Sequence, residues 1–174
     1  MLVFKEPPKV RLFVGIIFPH GYMLDNVIRD CEWAFGKADI LSQEYPFAHT
    51  SYYRDEMGTG LSRMFISHPR LIDAHTGLIR AKKIAVRLEN RYAKNGKRTV
   101  NIDPGYINEA RMVLSTTKDF SHRNYLGSKV FAEVTMLYQG KRWKPLPWTF
   151  PDYAAGTYDD FFNTARTAYH KVRQ

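Results

Sequence analysis

A single cysteine, Cys31, stands in 174 residues, so the chain can close no internal disulfide. It falls at helical spacing with Leu24, Val27, Ile28 and Phe35, which reads as a small buried hydrophobe rather than a nucleophile. Long apolar runs are also missing. The longest, Leu12 to Phe18, is far too short to span a bilayer, and the opening residues Met1 to Pro8 lack the layout of a secretory leader. These absences lead to the expectation of a cytoplasmic protein with no membrane partner. No Gly-x4-Gly-Lys-Ser/Thr motif occurs, and the nearest glycines, Gly58 and Gly60, introduce no lysine, which excludes a P-loop. The six histidines form no His-x-His or His-x3-His pair, so no metal site is expected. Two-histidine phosphoesterases need two His-x-Ser/Thr copies; His49-Thr50-Ser51 supplies one and no second exists.

What is present suits one globular unit over residues 1–174, with 44% hydrophobic and 25% charged residues. Aromatics are abundant at 14%, enough to fill a core, line a binding surface or both. The net charge of +9 is uneven. Residues 1–60 carry 6 basic and 8 acidic side chains, residues 61–100 carry 10 and 2, and residues 101–174 carry 10 and 7. The excess therefore belongs to one segment, and hence to one surface.

Along the chain, Val10 to Ile17 reads as a buried strand. A helix follows through Leu24, Val27, Ile28, Cys31 and Phe35, ended by Gly36. Asp39 to Tyr45 is a second strand, Pro46 to Gly60 an irregular loop, and Leu61 to Ser67 a third strand stopped by Pro69. Asp73 to Asn95 is a long helix, and Arg98 to Asp103 a fourth strand ended by Pro104-Gly105. That order, β-α-β-β-α-β, predicts an α+β fold with a ferredoxin-like core. Beyond it we expect a short helix over Asn108 to Leu114. A hairpin should turn at Gln139-Gly140, with an aromatic, proline-rich segment from Trp143 to Tyr153 lying extended on the surface or over a cleft. A closing helix should be capped by Thr157, with Asp159 and Asp160 in its first turn.

Two knots of polar residues fit neither a helical nor a strand period. Thr116 to Arg123 sets the hydroxyls of Thr116, Thr117 and Ser121 beside Lys118 and Arg123, a set suited to holding a phosphate or carboxylate. His122 is the candidate proton-transfer group, oriented by Asp103 or Asp119. Asp103 heads the other knot, Asp103-Pro104-Gly105-Tyr106, in which Tyr106 is a further ligand contact. The bland alternatives are a solvated loop with local ion pairs and a carboxylate that only caps a turn.

Arg80, Lys83, Arg87, Arg91 and Lys94 step by three or four residues into one basic stripe, which would follow a phosphate backbone such as RNA or else simply face water. Arg11 to Ile16 looks like the first aromatic strand of an RNA-recognition motif, with Phe13 to stack a base, but the partner motif is absent. A structural or partner-interaction role predicts instead a broad apolar patch near Trp143 to Tyr153.

Over nearly its full length the chain resembles a prokaryotic family catalogued as domain of unknown function 4416. The matching stretches are Lys9 to Gly15, Tyr52-Tyr53 with Glu56-Met57-Gly58, Val100 to Tyr106, Ser115 to Leu126, Ala132 to Leu137 and Pro147 to Tyr153. Some members have carried a nucleotide-binding label, for which this sequence holds no motif. The resemblance implies no particular reaction or cofactor. It does imply that the Asp103 and Thr116–Arg123 knots are hallmark segments, and the expectation is one cleft for a small anionic ligand, such as a nucleotide, formed where they meet. Whether that ligand is turned over is not decided by the residues.

Overall fold

The computed structural model describes residues 3–48 and 52–173; His49-Thr50-Ser51 lies outside the described residues. The fold is α+β: among the described residues, an open, antiparallel nine-stranded sheet with five helices. The path through the sheet runs β2 (Ile40–Leu41), β4 (Leu61–Ile72), β1 (Val10–Pro19), β5 (Asn101–Ile107), β6 (Arg111–Thr116), β8 (Val130–Gln139), β7 (Asn124–Gly127). Off this path β3 (Tyr45–Phe47) pairs with β4, and β9 (Arg142–Pro145) pairs with β8.

Strand β1 is central, and its alternation sorts the core onto two faces. Phe13 joins Phe65, Tyr153, Phe161 and Phe162 on the side of α4 (Pro151–Ala154) and α5 (Asp159–Val172). Val14 and Ile16 join Val27, Cys31, Ala85 and Leu88 on the side of α1 (Asp25–Phe35) and α3 (Thr76–Tyr92). Cys31 is fully buried, as its helical spacing predicts, and burial pushes its thiol up to about 12. Phe13 is fully buried too, wedged edge-on against Phe162 with centroids 5.3 Å apart, so it offers no face to a nucleic acid base.

Several expected boundaries move for identifiable reasons. The second strand divides into β2 and β3 because the Ser42 hydroxyl accepts from Phe65 N (2.8 Å), replacing a rung of the ladder. Strand β4 runs past Pro69: the register jumps from Phe13↔Ser67 to Arg11↔Leu71, and the proline occupies the irregularity. The expected loop from Pro46 to Gly60 begins inside β3, at Pro46 and Phe47, and holds a one-turn helix, α2 (Arg54–Met57). Helix α3 starts at Thr76, where the Asp73 carboxylate accepts from the backbone N–H groups of His75 (2.9 Å) and Thr76 (2.7 Å). Thr157 does not cap α5; Tyr158 holds that position and the hydroxyl of Thr157 makes no capping bond.

The predicted helix over Asn108 to Leu114 is a hairpin and strand instead. Asn108 Oδ1 accepts from Ala110 N and Arg111 N, both at 3.0 Å, and β6 buries Met112, Val113 and Leu114 on alternate faces. The other expected hairpin is present with its turn one residue later than expected: Gly140 (φ 59°) and Lys141 (φ 61°) lie between the paired residues Gln139 and Arg142.

Candidate functional site

The site arises where the sheet parts. Strand β5 pairs with β1 from Asn101 to Ile107, but with β6 only at Gly105, Tyr106 and Ile107. In an antiparallel strand both backbone groups of one residue point the same way, and successive residues point oppositely. Ile102 and Pro104 therefore turn toward β6. Pro104 has no N–H to give, so the ladder cannot continue through it. Beyond that point the strands diverge.

Each backbone group left facing the gap finds a side chain. Ser115 Oγ donates to Pro104 O (2.6 Å). Ile102 N donates to Glu89 Oε1 (2.7 Å), and Lys82 Nζ donates to Ile102 O (3.3 Å). Lys82 and Glu89 come from α3, one sheet face away, and Lys82 reaches through the gap to Asp103 Oδ1 (3.0 Å). Asn101 Nδ2 completes that carboxylate with a bond to Oδ2 (2.6 Å).

The parting encloses a cavity of about 530 Å³. Asn101 and Asp103 lie along one wall, and Ser115, Thr116, Thr117 and Lys118 along the facing one. Arg123 and Glu133 extend the second wall, while Arg63, Phe150, Asp152 and Tyr153 enter from the α4 side. Tyr52, Tyr53 and Arg98 complete the rim. The two polar knots thus meet in one concavity.

Not every predicted residue reaches it. Asp103, Thr116, Thr117, Lys118 and Arg123 line the cavity; His122, Asp119, Ser121 and Tyr106 do not. Tyr106 turns to the opposite face and packs with Leu78 and Val113, because β-strand alternation sends it away from Asp103. Asp119 and Ser121 are exposed on the turn closed by Arg123 N to Phe120 O (3.0 Å). His122 sits one residue behind the wall: Nε2 is 3.0 Å from Glu133 Oε2, and its ring stacks on Trp148 at 5.3 Å and 11°. It therefore pairs with Glu133 and not with Asp103.

Five cationic side chains line the cavity against four carboxylates. Three cations are paired within it: Arg63 with Asp152, Lys82 with Asp103, and Arg123 Nε with Glu133 Oε2 (2.7 Å). Arg98 bonds Glu56 outside the lining (2.5 Å). Lys118 is the cation with no carboxylate partner among the described residues; its ammonium lies 3.9 Å from the ring centroid of Tyr52 and bonds that hydroxyl. That bond, and then the charges of Lys118 and Arg98, draw the Tyr52 phenol below its ordinary range. Burial raises the Glu89 carboxyl. By count, the lining holds one more cation than carboxylates.

Burial by itself would push the Asp103 carboxyl up. The charge and hydrogen bond of Lys82, then Arg63 and Asn101, outweigh it and hold the group below the usual carboxylate range. Such a group stabilises the fold above its unfolded value of about 3.9, and the contribution is lost as pH falls through the lower folded value. Asp103→Asn should cost about 1.5–3 kcal/mol near neutral pH, the range for hydrogen bonds to charged groups. In melting curves taken between about pH 6 and about pH 2, wild type and variant should converge at the acid end. A gap of constant size would contradict this role for Asp103.

The polar and charged lining residues not singled out in the sequence include Arg63, Lys82, Glu89, Arg98, Asn101, Ser115, Glu133 and Asp152. Glu133 alternates within an ordinary strand pattern, and Arg63 sits inside an apolar run, so neither carries a local signal. The segment from Trp143 to Tyr153 does cover the cleft, through Phe150 to Tyr153, but with Pro151 to Ala154 helical. Within that segment Trp143 and Tyr153 are buried, while Pro145, Pro147, Trp148, Phe150 and Pro151 are exposed. No helix among the described residues is long and apolar enough to cross a membrane, and no group of three or more His, Cys, Asp or Glu among them could hold a metal ion.

Compared with known protein families, residues 8–169 match the model described as Domain of unknown function (DUF4416). No curated protein and no solved structure matches the chain.

Proposed function

We propose that this chain, which belongs to the domain of unknown function 4416 family, is a cytoplasmic binder of a small anionic ligand, phosphorylated in the simplest case. One observation carries the reading. Pro104 parts two strands, and the gap gathers Lys118, Arg123 and the Thr116 and Thr117 hydroxyls opposite Asp103. In this reading Lys118 meets the anion first, since no carboxylate neutralises it. Arg123 holds a second oxygen while its Nε stays on Glu133. Tyr52, Tyr53 and Phe150 offer ring faces to a planar group on the same ligand, which makes nucleotides and sugar phosphates the first probes. His122 enters through Glu133: a proton can pass between imidazole and that carboxylate, so His122 is the proton-transfer group if the ligand is turned over. The order of β2, β4, β1 and β5, with α1 and α3 on one face, further supports reading the first half as a ferredoxin-like unit.

Thermal-shift titrations with nucleotides and sugar phosphates test the binding reading. Lys118→Ala should abolish most of any ligand-induced rise in melting temperature while leaving the unliganded stability within about 0.5 kcal/mol of wild type, as for an exposed position. Equal ligand responses in the two proteins would dismiss it.

A further inference from the structure

A second concavity lies on the other side of α3, in a groove of about 670 Å³ between α1 and α3. One bank carries Arg80, Lys83, Arg87 and Arg91; the other carries Trp33, which is 90% exposed. Helix α1 buries only Val27 and Cys31, and Trp33 is the large aromatic it leaves open to water. Ala34, Ile79, Ile84 and Leu88 also line the groove and make part of its surface apolar. The one acidic side chain in the lining, Asp30, is neutralised by Arg91 (3.1 Å) and the Tyr92 hydroxyl (2.7 Å). Arg80, Lys83 and Arg87 have no ion pair or hydrogen bond among the described residues.

We propose that this groove binds single-stranded nucleic acid, with the α3 cations tracking the phosphates and Trp33 stacking on a base. At 1.5 Å rise per residue, Arg80 to Arg91 spans about 16 Å of backbone-tracking charge. A cationic stripe alone would suit any polyanion. The exposed ring beside it selects a strand whose bases are unstacked, since a ring face binds a base whatever its sequence. This site is separate from the cavity around Asp103 and Lys118 and shares no lining residue with it.

Fluorescence anisotropy with a labelled oligo-uridine of about 12 nucleotides, inside the range of known single-strand site sizes, is the direct test. The logarithm of affinity should fall with the logarithm of salt at a slope near −2, from about −0.7 per phosphate neutralised by the three unpaired cations Arg80, Lys83 and Arg87. Lys83→Glu/Arg87→Glu should bring the slope to about −0.7 or flatter, on the same relation, and weaken binding by on the order of a hundredfold at low salt. Trp33→Ala should weaken binding by about tenfold and remove the oligonucleotide-induced quenching of tryptophan emission, as expected for one lost stack. Lys118→Ala should bind the oligonucleotide like wild type. Absence of binding at low salt, full affinity after charge reversal, quenching that survives Trp33→Ala, or equal competition by duplex DNA or by polyglutamate would each overturn the proposal.

Discussion

Arg63→Met should lower stability by about 3–5 kcal/mol, the cost of stranding one partner of a buried ion pair. For a chain of this length that is a fall of roughly 6–20 °C in melting temperature. Arg63 and Asp152 side chains are only 8% and 3% exposed, and they are bonded to each other. Asp152 Oδ2 also accepts from the Tyr158 hydroxyl at 2.9 Å. The guanidinium lies among aromatic faces, 4.5 Å from the Phe47 centroid and 5.1 Å from that of Tyr153. Methionine keeps much of the packing, so the loss isolates the charge left behind on Asp152. The double variant Arg63→Met/Asp152→Leu should regain more than half of the loss, because an apolar pair needs no desolvated charge. Calorimetric melting of the three proteins decides it: a double variant no better than the single one would show that packing, not the stranded carboxylate, sets the cost.

Gly105→Ala should be nearly as damaging, at about 3 kcal/mol, the upper end for overpacked interiors. A β-carbon there would lie 2.5 Å from Phe13 Cζ and 2.6 Å from Val113 O. The first clash is with a fully buried ring and the second with the backbone of β6, so neither can be relieved by turning a surface side chain. Gly15→Ala is the control: its nearest contacts are carbons of the Phe65 ring at 3.0 and 3.3 Å, and a small ring shift suffices. Urea unfolding should separate the two glycines by at least about 1 kcal/mol. Gly105 also sits at the last rung before β5 and β6 part. The same variant should therefore reduce any ligand-induced thermal shift, by moving Leu114 and Ser115 with their strand.

Local pattern was a good guide wherever the partner of a residue is close along the chain. The α1 stripe, its Gly36 end, the presence of α3 and a hairpin at Gly140 are all local events, and all are seen, with α3 drawn in to Thr76–Tyr92. Met112, Val113 and Leu114 misled because a short apolar run fits a helix or a strand equally; pairing with β8, more than a dozen residues later, settles it. The meeting of Asp103 with Thr116 to Lys118 was legible as two irregular knots, and Pro104 holds the physical reason they face one another. Lys82, by contrast, is indistinguishable by sequence from the water-facing cations of its helix. Its single buried turn toward Asp103 is decided by the gap it enters. The same holds for His122, whose neighbour Glu133 is fixed by the pairing of β7 and β6 with β8.

A hollow made by unzipping a sheet is upholstered with the very groups that unzipping exposed. Lys82 and Glu89 clamp the amide and carbonyl of Ile102, and Lys82 also sets the charge on Asp103. Electrostatic tuning of the pocket and upkeep of the strand are thus one task shared by the same side chains. Any redesign of this hollow for a different guest has to begin by finding Ile102 new companions.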